Sequence, residues 1–173
     1  MNVPSQSSIP QLRLIAWELT KSCVLSCKHC RASAIKEKYA NELSTSECIK
    51  IIDSIASTGK CIIILTGGEP MLREDIYQLA RYGTDKGLRM VMATCGTLLN
   101  KENCQALIDS GIARISVSID GATESSHDCF RGVPGAFQAL MKGIEVARIA
   151  GLEFQVNTTI TKSNLAELPD IYN

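Results

Sequence analysis

Five short apolar segments alternate with helical patterns along the 173 residues of this chain, and this alternation limits the fold more than any other feature of the sequence. Each segment is rich in Ile, Val or Leu and short, as is typical of buried parallel strands. The predicted strands are residues 12–19, 61–65, 88–93, 114–119 and 153–159. Strands that alternate with helices form right-handed βαβ units, so the sequence predicts an α/β fold with a parallel sheet, either doubly wound or curved into a barrel. Of these two arrangements we expect the curved, barrel-like sheet.

Capping residues and glycines set the bounds of the predicted helices. Ser44 and Glu47 form a capping-box pattern, and the helix after them is expected to end at Gly59. A last helical pattern begins at Ser163 or Asn164, so the fifth strand would have no outer neighbour. Because natural folds avoid such an exposed edge, we expect the sequence to be incomplete. The other predicted helices, each ended by a glycine, are residues 73–82, 101–110 and 135–150.

Charge and composition exclude several classes of protein. Eighteen basic residues balance eighteen acidic ones, without a basic run of the kind that binds nucleic acid or lipid. No apolar stretch is long enough to span a bilayer, and residues 1–11 are polar, which predicts a flexible N-terminal segment without a secretion signal. We therefore expect one cytoplasmic domain with neither a membrane nor a nucleic acid as partner. Eight cysteines in a reducing compartment indicate metal binding or ordinary burial.

Three of the cysteines, Cys23, Cys27 and Cys30, lie close together directly after the first predicted strand. Three thiolates in such a loop can bind three irons of a 4Fe–4S cluster and leave the fourth iron open. The alternative is a structural zinc site completed by His29, although zinc sites usually pair two separated ligand knuckles. We interpret three other cysteines as packing residues of helices or strands: Cys48, Cys61 and Cys104. No role is assigned to Cys95 or Cys129.

Polar or glycine-rich residues follow every predicted strand, at the edge where parallel α/β folds place their active sites. After the second strand, Gly67 and Gly68 let the backbone approach a ligand, and the loop can present carbonyl groups or the Glu69 carboxylate to a cationic amino group. At the fourth strand, Ser118 and Asp120 alternate, so both can face one side and hydrogen-bond a ribose. The alternatives are a tight turn for the glycines and helix capping for the other two residues.

Together these motifs resemble the radical SAM superfamily, named after S-adenosylmethionine (SAM). The resemblance rests on Cys-x-x-x-Cys-x-x-Cys after the first strand, Gly-Gly-Glu-Pro after the second and Ser-Ile-Asp-Gly at the fourth. It covers nearly the whole chain and implies a partial (β/α) TIM-like barrel in which about five of six βα units are present. It also implies an enzyme in which a reduced 4Fe–4S cluster cleaves SAM to a 5′-deoxyadenosyl radical, which then abstracts hydrogen from a substrate.

The resemblance implies a role for each matching residue. Arg131 would pair with the SAM carboxylate, or else be an ordinary surface arginine. His29 would lie near the adenine, and Asn157 would contact the cofactor. The remaining implied roles are cluster ligation by Cys23, Cys27 and Cys30, contact with the SAM amino group by Gly67, Gly68 and Glu69, and contact with the ribose by Ser118 and Asp120.

Within the superfamily, residues 12–20, the Cys-Lys-His-Cys ending and residues 127–137 are most similar to SPASM-type enzymes, in particular to tetrapyrrole-modifying members of the alternative haem and haem d1 pathways. Peptide-modifying maturases share much of this pattern. The sequence departs from it at Cys95, where asparagine is frequent, and no cysteine-rich extension for auxiliary clusters is present. The implied partners are a small-molecule substrate such as a porphyrin precursor, or alternatively a peptide, and a reductant such as flavodoxin or ferredoxin. A zinc-binding structural module is the alternative from another class.

Overall fold

A computed structural model describes residues 12–172, which contain one sheet of five parallel strands. The strands lie side by side in the order of the sequence, so each βαβ crossover joins direct neighbours. Right-handed crossovers between sequential neighbours place the connecting helices on one face, whereas a doubly wound sheet reverses its strand order part-way. The expected α/β fold with a curved, barrel-like sheet is therefore confirmed. The strands are β1 (Leu14–Thr20), β2 (Ile62–Gly67), β3 (Arg89–Ala93), β4 (Ile115–Ser118) and β5 (Phe154–Asn157).

Six α-helices occur in the described part of the chain, and four of them fill the connections that the sequence predicted. The flexible segment predicted for residues 1–11 lies outside the described residues. None of the described helices has both the length and the apolar composition needed to cross a membrane. The helices are α1 (Thr45–Ser57), α2 (Ile76–Asp85), α3 (Lys101–Asp109), α4 (Glu124–Arg131), α5 (Ala136–Ala150) and α6 (Leu168–Ile171).

The main core lies between the sheet and the helices. Alternate residues of the central strands are almost inaccessible to solvent, because successive side chains of a strand point to opposite faces. Burial of each such side chain contributes roughly 1.5–3 kcal/mol. This continuous core holds the ends of the strands in a fixed arrangement, on which the site depends. Its fully buried members include Ile52, Ile63, Leu65, Leu79, Met90, Met92, Leu107, Ile115, Val117 and Leu140.

The prediction that a helix ends at Gly83 is wrong, because the close approach of β3 requires a glycine inside that helix. A Cβ atom at this position would overlap the sulfur of Met90. Helix α2 therefore continues to Asp85, and the chain turns at Gly87, whose φ of +80° lies in the left-handed region. The glycine at position 83 marks a packing contact between a helix and a strand.

Helix α4 was not predicted, because its sequence is polar and lacks an apolar stripe. Its ends are stabilised locally instead. Thr123 and Ser126 form a reciprocal capping box at the start, and Gly132 ends the helix with a φ of +73°. The buried face of this short helix, which includes Phe130 and Arg131, packs next to the cysteine loop.

The segment after β5 forms a short 3-10 turn and then α6, in agreement with the helical pattern of the sequence. Asn164, however, does not cap this turn. Its side-chain amide donates to the carbonyls of Asp120 at 3.0 Å and Thr159 at 2.8 Å, so it ties the loop after β5 to the end of β4.

Candidate active site

The loop with the three cysteines leaves β1 at the carboxyl edge of the sheet and is held at both ends. At its base, the amide of Cys23 donates to Ile35 at 2.8 Å, and the amide of Ile35 donates to Lys21 at 2.8 Å. On its far side, the amides of Ser26 and Lys28 donate to the last carbonyls of α4, at 3.1 and 3.2 Å. The loop is therefore a fixed platform.

Cys23, Cys27 and Cys30 line a single cavity of about 240 Å³. Each sulfur accepts one hydrogen bond. Backbone amides of the loop donate to Cys23 at 3.4 Å and to Cys30 at 3.3 Å, and Nη1 of Arg131 donates to Cys27 at 3.6 Å. The polar or glycine residues that strands β2 to β4 bring to this cavity are Thr66, Gly67, Gly68, Thr94, Cys95 and Ser118.

This donor set fits a cluster with three cysteine ligands. Three thiols of one loop face one cavity, and each would bind a different iron of the cluster. The same cavity is also lined by two glycines, a serine and Arg131, groups that suit a polar ligand on the open iron. Among residues 12–172, no three His, Cys, Asp or Glu side chains converge as ligands of a single ion.

The glycine loop after β2 packs directly against the start of the cysteine loop. The amide of Gly68 donates to Thr20 at 2.7 Å, and the amide of Glu69 donates to Ser22 at 2.7 Å. A Cβ atom at Gly68 would overlap the carbonyl oxygen of Ser22, and Gly67 has a φ of +127°. The glycines are therefore needed for contact between two loops, in addition to the predicted approach to a ligand.

The Glu69 carboxylate is turned away from the cavity, which contradicts the expectation that it could be exposed to a ligand. It is fully buried and accepts hydrogen bonds from the Thr94 hydroxyl at 2.8 Å and from the amides of Cys95 at 2.7 Å and Met71 at 3.1 Å. Burial raises the pKa of this carboxyl. The Glu69 carboxylate is therefore used by protein groups, and Glu69 is not one of the described residues that line the cavity.

A fourth thiol, that of Cys95, also lines the cavity. Its sulfur lies 3.0 Å from the Thr97 hydroxyl. Burial, followed by the negative charge of Glu69, raises the pKa of Cys95 far above its ordinary value. Cys95 comes from the loop after β3 and not from the cysteine loop.

Ser118 and Asp120 do not face one side, contrary to the prediction. Ser118 lines the cysteine cavity, whereas Asp120 is buried beside it. One oxygen of Asp120 accepts a hydrogen bond from the amide of Thr159 at 2.7 Å, and the other forms an ion pair with Nη2 of Arg131. Neither residue caps α4, which begins at Thr123. Both carboxylate oxygens therefore contact protein groups, although the contact of Oδ2 is an ion pair, and this oxygen accepts no hydrogen bond among the described residues.

Arg131 and His29 both reach the cavity and each has a buried nitrogen without a hydrogen-bond partner among the described residues. These atoms are Nε of Arg131 and Nδ1 of His29. The His29 ring packs against Phe130 in a tilted arrangement, with centroids 4.4 Å apart and an angle of 41° between the ring planes. Burial, and then the positive charge of Arg131, lower the pKa of His29. Arg131 is thus a buried residue of the site and not a surface arginine.

The remaining predicted positions lie outside this group. Asn157 ends β5, is exposed, and is not one of the described residues that line the cavity; its oxygen accepts from Gln155 at 3.1 Å. Cys129 is exposed on α4 with its sulfur 3.2 Å from Nζ of Lys28. Burial in the core confirms the packing role predicted for Cys48, Cys61 and Cys104.

Comparison with known proteins agrees with this geometry. The family model of the radical SAM superfamily matches residues 17–173. The chain belongs to the radical SAM superfamily. Proteins of this superfamily bind a 4Fe–4S cluster and SAM.

Radical SAM proteins with similar sequences include tetrapyrrole enzymes. The chain is 54% identical to an AdoMet-dependent heme synthase of Nitratidesulfovibrio vulgaris, over 94% of this chain and 44% of that protein. It is 39% identical to an Fe-coproporphyrin III synthase of Methanosarcina barkeri, over 92% of this chain and 40% of that protein. The chain therefore spans less than half the length of these relatives.

A solved radical SAM structure has the same fold. Streptococcus suis SuiB, determined with bound S-adenosylmethionine, superposes with a TM-score of 0.75 at 20% identity, over 93% of this chain and 37% of SuiB. SuiB has also been determined with its precursor peptide SuiA. At this level of identity the similarity concerns the fold alone.

Proposed function

We propose that this chain forms the cofactor-binding core of a radical SAM enzyme that modifies a tetrapyrrole. The observation that carries the proposal is the set of three cysteine sulfurs that face one cavity, each with one N–H donor. Cys23, Cys27 and Cys30 would hold the cluster. When bound, the cluster and SAM supply a 5′-deoxyadenosyl radical that abstracts hydrogen from the substrate. One sheet over one main core supports a single core domain for residues 1–173.

The groups around the cavity would orient SAM. The backbone of Gly67 and Gly68, two residues that line the cavity, would accept its amino group, because the Glu69 carboxylate is already used by the protein. Arg131 would bind the SAM carboxylate, since its Nε donor is unused by the protein. The Ser118 hydroxyl would bind the ribose, and the His29 ring, supported by Phe130, would pack near the adenine.

The substrate class rests on sequence similarity. Identity of 54% over nearly the whole chain to an AdoMet-dependent heme synthase supports a tetrapyrrole substrate. A peptide substrate is the second candidate, and 32% identity over 89% of this chain to a PqqA peptide cyclase of Rhodopseudomonas palustris favours it. An assay of the whole protein with a panel of porphyrin precursors and a panel of peptides separates the two, because only the true substrate class should increase the formation of 5′-deoxyadenosine.

A one-electron donor such as flavodoxin or ferredoxin would be the second partner. Exposed cations surround the loop that would hold the cluster, which supports an acidic donor. Eight cysteines without a disulfide among the described residues support the reducing cytoplasm as the location. The exposed cations of this loop are Lys21, Lys28, Arg31, Lys36 and Lys38.

Anaerobic reconstitution of the whole protein tests the proposed function. We expect equal amounts of iron and sulfide, a reducible cluster in electron paramagnetic resonance (EPR) spectra, and reductive cleavage of SAM to 5′-deoxyadenosine. Stoichiometric zinc without sulfide would reject the proposal and favour a structural zinc module. For variants of the loop cysteines, the matched control is Cys61→Ser, which should still assemble the cluster because Cys61 is buried in the core away from the loop.

A further inference from the structure

The three sulfurs of the cysteine loop differ in the kind of donor that each accepts. Cys23 and Cys30 accept neutral backbone amides of their own loop. Cys27 accepts Nη1 of Arg131, a charged side chain from α4, which lies 104 residues further along the chain. A charged donor interacts more strongly with a thiolate than a neutral amide does. Cys27 is thus the only one of the three loop cysteines whose sulfur accepts a charged donor among the described residues.

An ion pair with Asp120 restrains Arg131 in this contact. The arginine is 8% exposed and Asp120 is 1% exposed, and their side chains form an ion pair. Asp120 is itself fixed through the amide of Thr159, which donates to its Oδ1 at 2.7 Å. The backbone of Asp120 is fixed as well, since its carbonyl accepts the Asn164 amide at 3.0 Å and its amide donates to Nδ1 of His127 at 3.2 Å.

The charge of Arg131 lies next to the Cys27 sulfur, which its Nη1 contacts at 3.6 Å. Charges in a buried site are screened less than charges in water. Hydrogen bonds to the sulfurs and the net charge around a cluster are among the factors that set its reduction potential. A cationic donor stabilises the reduced form, which carries one more negative charge, and so raises the potential.

We propose that Asp120 is a positioning residue that holds Arg131 against Cys27, and that Arg131 in this position raises the reduction potential of the cluster. The inference rests on the proposed function, because it requires a cluster on the cysteine loop. It replaces the ribose contact that the resemblance implied for Asp120, whose carboxylate is already paired with Arg131 and Thr159. Arg131 still has Nε available for the SAM carboxylate.

A redox titration of the SAM-free whole protein, followed by EPR, tests the role of Arg131. Absence of SAM removes any contribution from its carboxylate. We expect Arg131→Met to shift the midpoint potential to more negative values and Arg131→Lys, which keeps the charge, to restore part of the shift. Arg73→Lys is the matched control, because Arg73 belongs to a buried pair with Asp75 elsewhere and should leave the potential unchanged. An unchanged potential in Arg131→Met would overturn the proposal.

A double-mutant cycle tests the positioning role of Asp120. Removal of the aspartate charge alone also changes the potential, so the cycle compares Arg131→Met in the parent with Arg131→Met in Asp120→Asn. We expect the shift to be smaller in the Asp120→Asn background, where the guanidinium is no longer held. Equal shifts in the two backgrounds would overturn the positioning role. Should Asp120→Asn fail to fold, Asp120→Glu, which keeps the charge but displaces it by one methylene, takes its place.

Failure of the inference about Arg131 can be distinguished from failure of the proposed function. If the parent protein assembles no iron–sulfur cluster, the proposed function fails and the inference fails with it. If the parent assembles a cluster and cleaves SAM, but its potential does not respond to Arg131→Met, the inference alone fails. Iron and sulfide content, measured on every variant before the titration, separates these two results.

Discussion

Two buried arginines, Arg73 and Arg131, each pair with an aspartate and approach a cysteine sulfur, but they use their donors differently. Arg73 forms a two-pronged contact with Asp75, at 2.9 and 2.7 Å, and also donates to two backbone carbonyls at 3.1 Å. Arg131 meets Asp120 through one nitrogen, and its Nε has no hydrogen-bond partner among the described residues. The protein saturates the first arginine and leaves the second with donors to spare.

This difference separates a pair in which the protein uses the arginine's donors from a pair beside the cysteine cavity with an unused donor. A buried donor without a partner costs roughly 1–3 kcal/mol, so stability alone would favour the arrangement around Arg73. The cysteines that the two arginines approach also differ in their surroundings. Cys48 is fully buried in α1, with its sulfur 3.9 Å from Arg73, whereas Cys27 lines the cavity beside Arg131. A buried arginine with an unused hydrogen-bond donor therefore identifies the candidate site better than burial or ion pairing does.

The largest expected effect separates the two cysteines. Cys27→Ala should abolish cluster assembly, because two cysteines cannot hold the cluster firmly. Cys48→Ala should retain it, since Cys48 only packs in the core. Iron and sulfide analysis after anaerobic reconstitution measures both. Full iron and sulfide in Cys27→Ala would contradict the ligand assignment.

The second prediction concerns stability. Arg73→Met should lower the free energy of unfolding by roughly 1–3 kcal/mol, because it leaves the partly buried Asp75 without its cation and removes donors from two carbonyls. Arg131→Met should lower it by less, since Arg131 makes fewer contacts with the protein. Denaturation in urea gives both values. Equal losses of unfolding free energy in the two variants would show that both ion pairs contribute equally to stability.

The third prediction concerns ligand affinity. Arg131→Gln should weaken SAM binding by about 10- to 100-fold, which corresponds to loss of one charge-assisted hydrogen bond. Arg73→Lys should leave the affinity unchanged, because Arg73 lies outside the cavity. Equilibrium binding of SAM to the reconstituted protein measures this. An equal loss of affinity in both variants would remove the distinction between the two arginines.

The smallest expected effect concerns acid stability. Burial opposes ionisation of Asp75, but hydrogen bonds from Arg73 and Thr45 outweigh it, so the pKa of Asp75 lies below its ordinary value. Such a carboxyl stabilises the fold above its unfolded pKa of about 4, and the contribution is lost as the pH falls through the folded pKa. Asp75→Asn should therefore weaken the fall in unfolding free energy below about pH 4. Urea titrations at several acidic pH values measure the slope, and an unchanged slope would contradict this account.

Much of the fold could be predicted because it depends on local patterns. Apolar segments of strand length, separated by capped helices, were sufficient for the parallel sheet, and all five predicted strands overlap the observed ones. The errors occurred where local signals and packing disagree. Gly83 signals a helix end but lies inside α2, because Met90 occupies the space of a side chain. Helix α4 has no apolar stripe and is stabilised by its caps.

The site was predictable in its chemistry but not in its contacts. By itself, the sequence determined that three thiols lie in one loop at the carboxyl edge of a parallel sheet, because spacing and strand order are local properties. Only the tertiary structure decided that the carboxylates of Glu69 and Asp120 turn inward. Their partners Thr94 and Thr159 lie 25 and 39 residues away along the chain. Which polar side chain faces a ligand and which one pairs with the protein is decided by contacts that form only when the sheet brings distant loops together.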